Sequence, residues 1–140
     1  MDTGNVSAYA GLSILLIEEK KFDTCRILAE KGLKIDPYRS ELYAILGNCE
    51  LETGFPDKAI DFFRHCLRID NTSLDAYLGL VAAFTNKDDH ENALRYLNLA
   101  REISKEKNIR LNSLEDIERT GVTFLDKKKE ALQKLLMQTR

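Results

Sequence analysis

Apolar and small residues recur along this chain every 34 positions. Tyr9, Tyr43 and Tyr77 keep that spacing, as do Leu12, Leu46 and Leu80, and Ile35, Ile69 and Ile103. Small residues hold the same frame at Cys25, Ala59 and Ala93, and again at Gly32, Cys66 and Ala100. The spacing defines three units, residues 6–39, 40–73 and 74–107, with no gap in register. A fixed period of this length marks stacked supersecondary units. Inside each unit the apolar period is helical, not alternating. In the middle unit Tyr43, Leu46, Gly47 and Glu50 share one face of a first helix. Ala59, Ile60, Phe63, Cys66 and Leu67 share one face of a second.

The segment between those helices reads TGFPD. Gly54 suits the left-handed residue that ends a helix. Pro56 suits the first turn of the next, where its missing N–H costs nothing. Asp57 complements the positive helix terminus. In the third unit, Asp88 and Glu91 are spaced as a capping box. Gly47 with Ala59 lets the paired helices approach closely, and Cys66 with Ala100 does so between units. Larger side chains there would overpack, at roughly 1–3 kcal/mol each.

A stack of helix hairpins exposes an apolar face at its last unit and needs a capping element. Residues 108–140 are expected to supply it. Ser113 with Asp116 is a start signal of the capping type. Leu114, Ile117, Phe124, Ala131 and Leu135 then recur at spacings compatible with one helical stripe. The favoured reading is a long helix to about residue 138, whose first half caps the stack and whose second half projects. Gly121, with Val122 and Thr123 after it, is the weak spot, and Asp126 is an alternative second start. The projecting half, DKKKEALQKLLMQTR, is amphipathic. Leu132, Leu135 and Leu136 form its apolar edge, and Lys127, Lys128 and Lys129 make it basic. It is either a solvated helix end or an interaction helix for another copy or another protein. Its apolar edge is short for a membrane-surface helix.

The chain resembles the tetratricopeptide repeat family, whose 34-residue pattern runs aromatic, Leu-Gly, an Ala–Phe–Ala series, then Asp-Pro. The middle unit matches at Tyr43, Leu46, Gly47, Ala59, Phe63 and Asp70. The first matches at Tyr9, Leu12, Phe22, Asp36 and Pro37, and the third at Tyr77, Leu80, Phe84, Ala93 and Ala100. The resemblance implies an all-α fold: a right-handed superhelical stack of three antiparallel hairpins with an extra C-terminal helix, one domain over residues 1–140. Some positions depart from the pattern. Ser13 and Val81 stand where the family prefers Gly, and Glu50 stands where an aromatic is usual. Asn71 replaces Pro at the second junction. Lys105 follows Ser104 where the third unit should end, so the second helix of that unit is expected to run on.

Composition narrows the chemistry. The formal net charge is −2 and there is no basic block or stripe, so nucleic acid is not an expected partner. Cys25, Cys49 and Cys66 are an odd number without a C-x-x-C pair, which fits a reducing, cytoplasmic setting. The run AYAGLSILLI is too short for a membrane span and lacks the basic flank of a signal sequence. There is no phosphate loop, G-x-G-x-x-G or H-E-x-x-H. His65 and His90 have no ligand partner at metal spacing. The cysteines fall where the repeat wants a small buried side chain, with no His placed to ionise them. The chain is therefore read as non-catalytic, with no cofactor and no metal.

The resemblance implies that the first helices of successive units line a concave surface that binds peptides. On the helical wheel, Glu41, Ala44, Asn48, Leu51 and Glu52 point away from the hairpin core in the middle unit. Ser7, Ala10, Ile14, Ile17 and Glu18 correspond in the first unit. Asp75, Leu78, Ala82, Thr85 and Asn86 correspond in the third. This surface has seven apolar residues, four acids and no base. One branch of the family grips the carboxylate end of heat-shock chaperones with Lys, Arg and Asn. The corresponding positions here are Ala10, Ile14, Ile45, Asp75 and Gly79, so that partner class is rejected. The expected partner is an apolar protein or peptide segment flanked by Lys or Arg. Asn48 would bond its backbone, and Glu18, Glu41, Glu52 and Asp75 would select its positive flanks. Two alternatives are a homo-oligomer, with residues 126–140 of one copy in the groove of another, and a small client-holding chaperone of a secretion system. Such chaperones carry an added N-terminal helical segment, whereas the first repeat here begins by Val6.

Overall fold

A computed structural model of the chain describes residues 5–139. Those residues form eight helices and no strand. Three pairs come first: α1 (Val6–Glu18) with α2 (Phe22–Ile35), α3 (Ser40–Glu52) with α4 (Pro56–Ile69), and α5 (Leu74–Asn86) with α6 (His90–Glu106). The leading helices start 34 residues apart, and so do the trailing ones. Two further helices follow, α7 (Leu114–Arg119) and α8 (Asp126–Gln138). Among the described residues no helix is long and apolar enough to cross a membrane.

Local chemistry accounts for the starts and stops. The side chains of Asn5, Ser73, Asp89 and Ser113 each accept from a backbone N–H three residues on, at the starts of α1, α5, α6 and α7. Each such cap satisfies one of the donors a helix start leaves unpaired. Pro56 opens α4. The turn inside each hairpin is left-handed at one residue: Lys20 (φ 62°), Gly54 (φ 92°) and Asp88 (φ 58°). The 34-residue period therefore extends to a backbone conformation, although only the middle unit fills it with glycine. It also corrects the third-unit reading. Asp88 makes the turn, and the cap passes to Asp89, whose Oδ1 accepts from Asn92 N–H at 3.2 Å. As the departure at Lys105 implies, α6 runs on, with 17 residues against 14 in α2 and α4.

Phe63 is the wedge of the stack. A Cβ built on Gly47 would lie 2.7 Å from its ring, and one on Gly79 would lie 2.3 Å from it. The two leading helices α3 and α5 thus close on one aromatic face because neither carries a side chain there. Glu50, which stands where an aromatic is usual, is buried against α2. Arg26 Nε donates to its Oε1 at 2.8 Å, and Arg26 Nη2 donates to Thr53 Oγ1 at 2.6 Å. A charged, hydrogen-bonded tie replaces ring packing at that seam.

The tail departs from expectation. It is two helices, not one, because Gly121 takes a left-handed φ of 79° and residues 121–125 leave the helix. The second half does not project. It turns back, and α8 lies along the concave side against α5 and α3. Ala131, Leu132 and Leu135 join the core there with Leu51, Leu78 and Ala82. An isolated tail and an empty groove would each hold an apolar stripe in water. Docking removes both, at roughly 1.5–3 kcal/mol for each large aliphatic side chain buried.

Candidate protein-binding groove

The leading helices α1, α3 and α5 present three kinds of position towards the concave side. Two kinds sit at the seams between helices. Ala10, Ala44 and Leu78 are equivalent by the 34-residue period, and so are Ile17, Leu51 and Thr85; all six are buried. These sites lie seven residues apart on each helix and form the seam between one leading helix and the next. Ala10 and Ile17 pack with Ile45 and Cys49 of α3. Their assignment as peptide contacts is corrected on that ground. The wheel separates a helix's faces but does not say where the next helix will sit.

The third kind faces outward, and here the groove divides in two. In the half between α3 and α5, α8 covers Asn48 and Ala82 and packs on the seam residues Leu51 and Leu78 beside them. Lys128 is 0% exposed. Its Nζ donates to Asn48 Oδ1 at 3.1 Å and to the Asp75 carboxylate, and it lies 5.9 Å from the Phe63 ring centroid. Glu52 accepts from the backbone N–H groups of Lys127 and Lys128, both at 3.0 Å, and so caps α8. Lys20 Nζ donates to Asp126 Oδ2 at 2.7 Å. That bond holds the Asp126 carboxyl below its ordinary range and the Lys20 ammonium above its own. Lys128 meets Asp75 at the start of α5, and Lys134 comes within 3.7 Å of Asp88 just past its end. The helix therefore runs alongside α5 in the same direction.

The other half is open. A cleft of ≈ 460 Å³ lies between α1 and α3, walled by Ile14, Glu18, Glu41 and Ala44 on one side and by Val122 and Phe124 of the returning chain on the other. Ile14 is 38% exposed. Glu41 accepts from Arg39, which also donates to Ser7 Oγ at 2.6 Å. Of the fifteen sequence-derived positions, the open cleft thus gathers Ile14, Glu18, Glu41 and Ala44, with Asp75 at its border.

The residue that sequence reasoning missed is Lys128. The leading helices supply no base, but the tail brings one to the groove floor and neutralises Asp75. The signal was present as a single lysine set three residues before Ala131 on the apolar edge of α8. His65 of α4 packs on its own hairpin. Its ring stacks on Tyr43 at 3.9 Å between centroids and 10° between planes. The three thiols are buried. Cys25 and Cys49 Sγ lie 3.4 Å apart between α2 and α3. A hydrogen bond with Cys25, together with burial, pushes the Cys49 thiol up, and burial pushes Cys66 up to about 11. Among the described residues no group of three His, Cys, Asp or Glu side chains is placed to hold a metal ion.

Three hairpins stacked with their leading helices on one concave wall define an α-helical repeat solenoid. Residues 40–73 match the family model of the tetratricopeptide repeat. Solved structures agree over nearly the whole length. Yersinia enterocolitica SycD, a type III secretion chaperone solved with a peptide of the translocator YopD, is 17% identical. The match covers 98% of this chain and 96% of that one, with a TM-score of 0.71. The first TPR of Spaghetti (RPAP3), bound to an HSP90 peptide, is also 17% identical, with coverage of 94% and 96% and a TM-score of 0.71. The Arabidopsis OM64 TPR domain is 13% identical, covers 100% of both chains and has a TM-score of 0.73. No curated protein matches by sequence. The fold is the all-α solenoid of these tetratricopeptide-repeat structures, and residues 40–73 carry the repeat itself.

Proposed function

We propose that this chain is a non-catalytic adaptor or scaffold whose concave groove takes an apolar protein segment flanked by Lys or Arg. One observation carries this reading. The half of the groove that is filled holds a helix of that composition, with Lys128 on Asp75 and Asn48 and with Leu132 and Leu135 on the apolar floor. The open half repeats the chemistry, with Ile14 and Ala44 beside Glu18 and Glu41. An acidic peptide of the kind a heat-shock chaperone presents would meet like charge there, and Lys128 is already engaged. A second reading, a chaperone holding a client segment, is favoured by the fit to SycD with its YopD peptide over 98% of this chain.

The test is affinity capture from the native cell with wild type and with Ile14→Arg plus Glu18→Lys. Both positions are exposed, so the fold tolerates the change. Bound proteins should be lost from the double variant and retained by Leu15→Gln on the outer face. An unchanged set would place the binding surface elsewhere.

A further inference from the structure

The helix filling the α3–α5 half of the groove is not held as a plain cap would be. A cap built for stability would set aliphatic side chains alone on the floor, whereas α8 sets Lys128 there beside Ala131, Leu132 and Leu135. Burying an ammonium is expensive and is offset only by good geometry around it. Here the Asp75 carboxylate, the Asn48 amide oxygen and the Phe63 ring surround Nζ. What such a contact adds over a methionine of similar size is register and selectivity. Glu52 does a second job. By accepting from two backbone N–H groups it recognises the start of a helix, whatever side chains that helix carries. The polar contacts gather at the first turn of α8. Among the described residues the polar tie towards its far end is the 3.7 Å surface pair of Lys134 with Asp88, and Met137 is 63% exposed.

We infer that α8 is the resident occupant of a helix-binding site, and that an amphipathic helix of the same chemistry binds there in trans by displacing it. That partner carries a lysine in its first turn and small or leucine side chains three, four and seven positions later, the spacing of Lys128, Ala131, Leu132 and Leu135. A carboxylate in place of the lysine meets Asp75 and Glu52 and is excluded. The inference rests on reading the groove as a binding surface, but it concerns the sealed half and not the open cleft. A tethered helix competes at an effective concentration in the millimolar range. A trans helix therefore binds the intact chain weakly, in proportion to the fraction of time α8 is out.

The test uses the full chain and a labelled synthetic peptide, DKKKEALQKLLMQ, read by fluorescence anisotropy. Lys128→Glu in the protein sets α8 against Asp75 and frees the site. That variant should bind the peptide at least tenfold more tightly than wild type does. The same peptide with glutamate at its second lysine, the equivalent of Lys128, should lose binding at least tenfold. Adding Ile14→Arg and Glu18→Lys to the protein should leave peptide affinity unchanged, so failure of the open-cleft reading and failure of this one are separable. A folded Lys128→Glu chain that binds no tighter than wild type overturns the proposal. If that variant does not fold, hydrogen exchange on wild type decides. Exchange of α8 amides through an opening smaller than that of α3–α6 supports displacement, and exchange only with global unfolding overturns it.

Discussion

α1 and α5 are the same element of the repeat, 68 residues apart, and each carries a single charged side chain. Yet α1 buries four of its thirteen residues and α5 buries eleven. Composition does not set that difference, because α1 is free of charge from Val6 to Ile17. Position in the stack sets it. α5 has α3 and α4 before it, α6 after it and α8 across its concave face. Among the described helices α1 packs mainly on α2 and α3, and leaves Leu12 and Leu15 47% and 56% exposed. A solenoid made of near-identical units thus has a sealed end and an open end, and the tail creates the asymmetry.

The largest effects should come from the sealed region. Phe63→Ala should cost about 3–5 kcal/mol, since the ring fills the space against both Gly47 and Gly79. Gly79→Ala should cost about 1–3 kcal/mol by overpacking the same ring. The double change should fall well short of the sum, because the alanine occupies space the ring has vacated. Urea denaturation of the three variants measures this. Additive losses would show that the ring and the glycine act independently, and the wedge would not exist.

Next in size is the contact that holds the tail. Asp75→Ala leaves the Lys128 ammonium without its carboxylate. A fully buried pair broken in this way costs roughly 3–5 kcal/mol, but Asp75 is 24% exposed at its side chain and α8 can detach, so about 2–3 kcal/mol is expected. Lys128→Met should lie within about 1 kcal/mol of wild type, or above it, because an aliphatic chain of similar volume needs no partner. If the methionine variant loses as much as Asp75→Ala, the lysine is a stability device and the contrast drawn here between cap and occupant fails.

How much of this was legible beforehand differs between the two regions. The helical pairs were readable because period and register are carried by many residues at once, from Tyr9 through Ile103. The concave wall was readable in outline, since a helical wheel needs only the 100° step. What the wheel lacked was the neighbour. It placed Ala10 and Ile17 with Ile14 and Glu18, although the first two pack at the seam to α3. The tail was misjudged for a related reason. Gly121 marked the weak spot, but no local signal tells whether a helix after a break projects or returns. The decisive fact was long-range: an apolar, acidic trough and an apolar, basic helix in one chain. Both halves of that complementarity stood in the sequence, and the intramolecular closure did not follow from either alone.

The smallest predicted effect lies at the open end. Leu15→Gln should change stability by less than about 0.5 kcal/mol, as exposed substitutions away from caps and cores do. The change should be equal at two protein concentrations tenfold apart. Leu78→Gln, buried in the equivalent helix of the sealed end, should cost several times more, since it strands an amide without a partner. The pair is informative because both start from leucine on a leading helix and differ only in what covers them. A loss at Leu15 above about 1.5 kcal/mol, present only at the higher concentration, would mean that another copy covers the outer face of α1 in solution. The open end would then be an interface, and the asymmetry between α1 and α5 would belong to the isolated chain alone.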